Sequence, residues 1–193
     1  MASTQINVQA STATNPIQFI SLISRSDELL YIQSFQSASK TTAAKPTHSE
    51  TNRFLRFNFF SHMALDIFLS PTSLALREQQ SQQQGDDQYD GVLLLFIQDQ
   101  VMVYGYESNN GLKIIVGVDQ AISVDVRRLR KLINDVYRLY LRILCNPFRN
   151  FGKNSAAERD ESGAEAGGHE GETEILKGTK FDSGVESLVE SFV

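Results

Sequence analysis

The sequence predicts an α+β domain with a five-stranded antiparallel sheet, one helix on one face of the sheet and two helices on the other. Two observations lead to this prediction. Five short apolar segments are bounded by turn-forming residues, which is typical of strands. Three longer segments carry apolar residues three or four positions apart, which is typical of amphipathic helices. Their order along the chain is β-β-α-β-β-β-α-α.

The strand candidates differ in how they connect and in how much of each is apolar. The pair Asn110-Gly111 favours a type I′ turn before the last strand, because both residues tolerate positive φ. The third and fifth strands are apolar at successive positions, so we expect helices to cover both of their faces. The five candidates lie at residues 17–23, 29–35, 91–97, 100–107 and 112–118.

The first helix is predicted to begin at a cap on Thr51 or Asn52 and to end near Ser70. Phe59 and Leu65 widen its apolar stripe beyond what one sheet face needs, which indicates that another protein buries part of this helix. Asp66 lies among these apolar residues. It is either the polar edge of the helix or an orienting carboxylate at a protein interface.

The second helix is predicted over residues 124–145, and Asn146-Pro147 ends it. One side of it is basic, with four bases spaced by 4, 7 and 4 residues. This face is a solvated surface, a docking face for anionic lipids or an acidic partner, or a surface screened by the acidic linker that follows. The third helix spans the apolar residues from Phe181 to Phe192. The four bases are Arg127, Lys131, Arg138 and Arg142.

The formal net charge of −5 belongs to one segment, residues 155–178, with seven acidic and two basic residues. The rest of the chain is balanced, which argues against a nucleic-acid binder held by phosphate contacts. We predict a disordered N-terminus over residues 1–15 and a single domain over residues 16–193. Within it lie loop insertions at 36–49 and 79–90, and an acidic disordered insertion at 152–178.

The residues that carry chemistry do not form a recognisable catalytic or metal-binding pattern. His48, His62 and His169 lie far apart without metal-ligand spacing, and no phosphate-binding glycine loop is present. Cys145 is predicted to be a buried structural thiol, and a single cysteine excludes an internal disulfide. The sequence predicts neither enzyme activity nor a cofactor or metal. It also lacks an apolar run of bilayer length and a secretory signal, so we expect a cytosolic protein with at most peripheral membrane contact.

Four stretches, taken in order, carry a family resemblance. They resemble the sedlin-like subunits of the TRAPP vesicle-tethering complex, in particular its subunit 2-like branch. The resemblance covers residues 16–149 and 180–193. The four stretches are Phe57-Asn-Phe-Phe-Ser-His62-Met-Ala-Leu65-Asp66, Val103-Tyr104-Gly105-Tyr106-Glu-Ser-Asn109 with Lys113-Ile-Ile-Val-Gly-Val118-Asp119, Cys145-Asn146-Pro147-Phe148, and Phe181-Asp182.

The resemblance implies a longin-like fold and a non-catalytic adaptor. Such subunits join the small-subunit core of TRAPP to its larger subunits, and the whole complex activates a Rab GTPase in endoplasmic reticulum to Golgi and intra-Golgi transport. It implies a cytoplasmic protein peripheral to those membranes, without a cofactor. The residues that it implies for partner binding are Leu65, Asp66, Asn146, Pro147 and Phe148.

Other classes of protein remain as alternatives. A longin-domain SNARE-like protein needs a long heptad segment and usually a membrane anchor, and about forty-five residues follow Phe148, many of them acidic. A peripheral lipid-binding trafficking protein would use the basic face of the second helix. An enzyme on this scaffold would need a pocket that combines His62 with a second titratable group.

Overall fold

The computed structural model describes residues 15–35, 48–72, 75, 91–146, 176 and 179–192. The predicted order of elements is confirmed. Most of the predicted terminal and inserted segments, at 1–15, 36–49, 79–90 and 152–178, lie outside the described residues. The elements are β1 (Ile17–Ile23), β2 (Leu29–Ser34), α1 (His48–Phe68), β3 (Val92–Gln98), β4 (Val101–Glu107), β5 (Lys113–Asp119), α2 (Val126–Leu144) and α3 (Thr179–Glu190).

The five strands form one sheet in the order β2-β1-β5-β4-β3, and every neighbouring pair is antiparallel. The central strand β5 is buried along almost its whole length, as its apolar sequence predicts. Helix α1 packs on one face of the sheet, and α2 and α3 pack on the other. The predicted distribution of one helix and two helices is therefore confirmed.

Helix α1 begins earlier than predicted, at His48, so the predicted cap at Thr51 or Asn52 is wrong. The polar residues before the apolar run are already helical. Glu50 lies in this first turn, where a negative charge interacts favourably with the helix dipole. Local capping preference alone therefore did not locate the start of the helix.

The type I′ turn occurs in the hairpin before the one predicted. Asp99 and Gln100 have φ values of 50° and 65° and form the two-residue connection between β3 and β4. In the β4–β5 connection only Gly111 has a positive φ, at 83°. That loop is longer, and the Gly111 N–H donates to the Ser108 carbonyl at 2.9 Å. One left-handed residue is sufficient there, so β4 and β5 form the predicted hairpin but the predicted type I′ turn at Asn110-Gly111 is wrong.

Strand β3 is less buried than its apolar sequence predicts. It is the last strand of the sheet, and the register with β4 shifts between Leu94 and Phe96. Leu95 and Phe96 consequently both pack on the α1 side, whereas Leu94 and Ile97 lie half-exposed. The expectation of helices over both faces therefore holds for β5 and is wrong for β3.

Helix α3 returns to the domain through a mostly buried apolar face. The rings of Tyr31 on β2 and Phe181 on α3 meet edge to face, with centroids 4.8 Å apart. Gly184 lies directly against Leu139 of α2. A larger residue would not fit as closely, because its Cβ would meet the leucine methyl groups. Val185 and Val189 are also buried. Apolar burial is therefore what holds this helix on the sheet after a long connection.

Tyr31 makes this contact sensitive to pH. Burial, followed by the neighbouring Asp182 carboxylate, raises the pKa of its phenol well above the usual value near 10. The folded state disfavours the phenolate. The contribution of Tyr31 to the free energy of unfolding is therefore complete below about pH 10 and is lost as the pH rises further. We expect the free energy of unfolding of the wild type to fall more steeply above pH 10 than that of Tyr31→Phe. Urea titrations from about pH 8 to pH 11 would measure this, and parallel curves would contradict it.

Candidate partner interface

Helix α1 has one face that is committed to the core. The Phe57 ring stacks on Phe19 of β1 with centroids 4.7 Å apart, and the Phe60 ring meets Phe96 of β3 edge to face at 5.9 Å. The Ser61 hydroxyl donates to Ser21 Oγ at 2.8 Å and lies 2.9 Å from the Phe57 carbonyl oxygen. These contacts fix both the position and the rotation of α1 on the sheet.

The opposite face of α1 is a second apolar surface, and it is exposed. Its residues follow one another at intervals of 4, 3, 4 and 3, which places them on one side of a helix. Leu55 and Phe59 are each 58% exposed and Leu69 is 66% exposed. Leu69 directly follows the last residue of α1 and continues its hydrogen bonding, since its N–H donates to the Leu65 carbonyl at 3.1 Å. We call these five residues the outer stripe of α1: Leu55, Phe59, His62, Asp66 and Leu69.

The predicted site residues on α1 differ in their surroundings. Asp66 is exposed and lies within the outer stripe, between Phe59 and Leu69. Leu65 is half-buried and packs against the core beneath the helix, so its side chain offers only part of its surface to a partner. Exposed apolar side chains of this size on one helix face are typical of a protein interface.

The predicted residues at the end of α2 are only partly described. Asn146 is exposed and follows the helix directly, while Pro147 and Phe148 lie outside the described residues. Cys145 is exposed, so the prediction of a buried thiol is wrong. It caps the helix, and its N–H donates to the Leu141 carbonyl at 2.9 Å.

The predicted basic face of α2 forms a solvent-facing row of exposed residues. Arg138 Nη1 lies 3.5 Å from Asp135 Oδ1, one turn away, which is a weak exposed ion pair. The acidic segment that was expected as one alternative to screen this face lies outside the described residues. The four residues are Arg127, Lys131, Arg138 and Arg142.

The described residues also form a small cavity on the side of the sheet that carries α2 and α3. A cavity of about 210 Å³ lies between α2 and α3, where Arg128 Nη2 donates to the Phe192 carbonyl at 2.6 Å. It does not contain His62, which is exposed on α1. Within the described ranges, no three His, Cys, Asp or Glu side chains are grouped to hold a metal ion. No helix in that part of the chain is both long and apolar enough to cross a membrane.

Comparison with known families agrees with this arrangement. The family model described as Sedlin matches residues 22–163. The chain belongs to the sedlin family. This confirms the resemblance inferred from the four sequence stretches, and the α+β fold with its five-stranded antiparallel sheet is consistent with it.

Curated relatives of this sedlin-family chain carry a common name. The trafficking protein particle complex subunit 2-like protein of Mus musculus is 28% identical over 137 residues, which cover 69% of this chain and 83% of the relative. The proteins of the same name from Bos taurus and Taeniopygia guttata are 26% and 28% identical with the same coverage. A chain from the structure of the mammalian SRP receptor aligns with a TM-score of 0.37 and 16% identity over 92% of this chain and 95% of its own.

Sequence reasoning found part of the outer stripe and missed the rest. It identified Phe59 and Asp66, but not Leu55, His62 or Leu69 as members of the same exposed surface. The alternating 3 and 4 spacing was present in the sequence. It was not distinctive, because the buried face of α1 also follows three- and four-residue spacing.

Proposed function

We propose that this sedlin-family chain is a non-catalytic subunit of the trafficking protein particle (TRAPP) complex, and that the outer stripe of α1 binds another subunit. The observation that carries the proposal is the exposed apolar surface of Leu55, Phe59 and Leu69 around Asp66. An isolated domain gains nothing from leaving these side chains in water, whereas a partner that covers them gains their burial. The names of the relatives indicate which assembly supplies that partner.

Within this proposal the chain acts by assembly. It joins the small-subunit core to larger subunits, and the complete complex promotes nucleotide exchange on a Rab GTPase in endoplasmic reticulum to Golgi and intra-Golgi transport. The protein is then cytoplasmic and peripheral to those membranes. Residues 16–193 form one longin-like domain with the three insertions. Leu65 and Asn146-Pro147-Phe148 contribute further partner contacts, in addition to those of the outer stripe.

The proposal is tested by recovery of the complex on the tagged chain. We expect the tagged wild type to recover subunits of the trafficking protein particle complex, as identified by mass spectrometry. Wild-type protein that recovers none of these subunits, under conditions that preserve the complex, would contradict the proposal.

Charge reversal at Asp66 should weaken this association. Lysine at this exposed position removes an interface carboxylate and places a cation among groups arranged for an anion. We expect Asp66→Lys to recover at least about tenfold less of the complex than wild type, with an unchanged unfolding temperature. Glu190→Lys is the matched control, since Glu190 is an exposed acid at the end of α3. Full recovery by Asp66→Lys would remove Asp66 from the interface.

The basic face of α2 supports a second candidate function, peripheral binding to anionic lipid. Its four cations are exposed, and each contributes about 1 kcal/mol near an anionic membrane. Flotation of the purified chain with vesicles of phosphatidylcholine and phosphatidylserine separates this candidate from the first. Salt-sensitive flotation that is lost in Arg138→Glu/Arg142→Glu would support lipid binding, and absence of flotation would reject it.

A further inference from the structure

Strand β3 is an edge of the sheet whose apolar side chains are partly exposed. Leu94 is 49% exposed and Ile97 is 50% exposed. They lie opposite Tyr104 and Met102 of β4, which pack on the side of α2 and α3, so Leu94 and Ile97 face that side as well. At the other edge of the sheet, every residue of β2 is buried or half-buried. Large apolar side chains are therefore exposed at one edge of the sheet and not at the other.

The sequence of β3 offers little protection against pairing with another strand. Natural edge strands are protected by charged side chains, by proline or by a bulge. The seven residues Val92–Gln98 contain no charged side chain and no proline. The strand does contain a bulge between Leu94 and Phe96, and a bulge interrupts pairing with a regular strand. A strand that pairs with β3 must therefore match this bulge.

The bulge gives β3 a symmetric pattern of side chains. Leu95 and Phe96, at its centre, both face α1. Leu94 and Ile97, on either side of them, face α2 and α3. The next residue in each direction lies on the α1 side again, and these two residues are Leu93 and Gln98. The pattern of faces is therefore the same in both directions from the peptide bond between Leu95 and Phe96.

We propose that β3 pairs antiparallel with β3 of a second copy of this chain, about a two-fold axis at the peptide bond between Leu95 and Phe96. In this register Leu94 lies opposite Ile97 of the second copy, and Leu95 lies opposite Phe96 of the second copy. Side chains of the same face then meet along the whole strand, and the extra residue of the bulge occurs in both strands at the axis. A shift by one residue would bring side chains of opposite faces together. The bulge thus selects one register for self-pairing.

Charge and area also fit a second copy of the chain. Because β3 is uncharged, the two-fold axis places no like charges opposite each other within the strand pair. The pairing covers the exposed parts of Leu94 and Ile97 in both copies, which form one apolar cluster on the same face. A seven-residue strand is about 23 Å long, and its edge buries less than the roughly 800 Å² per partner of a standard interface. We therefore expect a weak dimer, with a dissociation constant of about 10 to 100 μM.

The first experiment measures the oligomeric state of the purified full chain. Sedimentation velocity from about 1 to 300 μM should show the wild type changing from monomer to dimer. Leu94→Lys/Ile97→Lys should stay monomeric, because like charges then lie opposite each other across the axis. Leu94→Lys/Ile97→Glu should recover part of the dimerisation at low salt, because opposite charges then meet. Val126→Lys is the matched control, since Val126 is similarly exposed, at 47%, but lies on α2, and circular dichroism checks that each variant is folded.

The second experiment tests the register with cysteines, in a Cys145→Ser background. Leu94→Cys and Ile97→Cys are purified separately, mixed, and treated with copper phenanthroline, which oxidises facing thiols to a disulfide. Facing Cβ atoms of paired strands lie about 5 Å apart, within reach of a disulfide. Identical positions of the two copies lie about 10 Å apart along the strands, which is too far. A disulfide-linked dimer should therefore form in the mixture and not in either variant alone.

The results that would overturn this inference are distinct from those that bear on the proposed function. The inference fails if the wild type stays monomeric up to about 300 μM, or if Leu94→Lys/Ile97→Lys dimerises as strongly as the wild type. It fails equally if either cysteine variant alone cross-links as readily as the mixture. The proposed function does not depend on these results, because the outer stripe lies on the face of α1 that points away from the sheet.

Discussion

Alanine in place of Gly117 is expected to lower the free energy of unfolding by about 3 kcal/mol. A Cβ at this position would lie 2.1 Å from Cε1 and 2.3 Å from Cδ1 of Phe19, well inside van der Waals contact. Phe19 pairs directly across from Gly117 in the ladder between β1 and β5. Its ring is fully buried and stacked on Phe57, so it cannot move aside without disturbing α1. The glycine therefore creates the space in which the Phe19–Phe57 stack forms.

Urea denaturation of Gly117→Ala measures this loss, and Gly184→Ala is the matched control. At Gly184 the added Cβ would meet only the flexible end of Leu139, at 2.7 Å. Alanine also gains about 1 kcal/mol over glycine within a helix. We expect the control to change stability by less than about 1 kcal/mol. Equal losses of stability at the two positions would contradict the explanation that the rigid Phe19–Phe57 stack causes the loss at Gly117.

The sequence predicted the element order because the strands and helices each have a strong local signal. Strand β1 is predicted at its observed residues, and β5 is buried as its apolar run indicates. The errors occur where the outcome depends on position in the sheet. The apolar run of β3 was interpreted as two-faced burial, yet β3 lies at the edge of the sheet. Likewise, the type of turn depends on the length of the loop. A favourable residue pair such as Asn110-Gly111 does not determine that length.

The candidate site was predicted in part, for a related reason. Asp66 could be identified as a polar residue on an apolar helix, but periodicity alone cannot show which of two apolar stripes is buried. Arg56 gave no sequence signal, since an arginine on a helix is usually solvated. Its position over the Phe57 and Phe60 rings depends on how α1 packs on the sheet.

Replacing Phe57 with alanine should lower the free energy of unfolding by about 4 kcal/mol. Phe57 is fully buried, stacks on Phe19 and lies under the Arg56 guanidinium. Its removal leaves a cavity between α1 and the sheet and also removes an aromatic contact that restricts Arg56. Thermal unfolding should show a much lower midpoint, and complex recovery should fall with the folded fraction. A stability loss below about 1 kcal/mol would show that α1 can repack, and the fixed rotation of α1 would then be wrong.

Phe59→Ala, two residues further along, should give the reverse result. Phe59 is 58% exposed, so the expected change in stability is within about 0.5 kcal/mol. Its loss should nevertheless reduce recovery of the complex, because a partner would lose an apolar contact in the outer stripe beside Asp66. The two residues have the same side chain and lie on the same helix. They differ because Phe57 lies on the buried face and Phe59 on the exposed face. If Phe59→Ala left recovery intact while Asp66→Lys abolished it, the partner would contact α1 through charge alone, without covering its apolar surface.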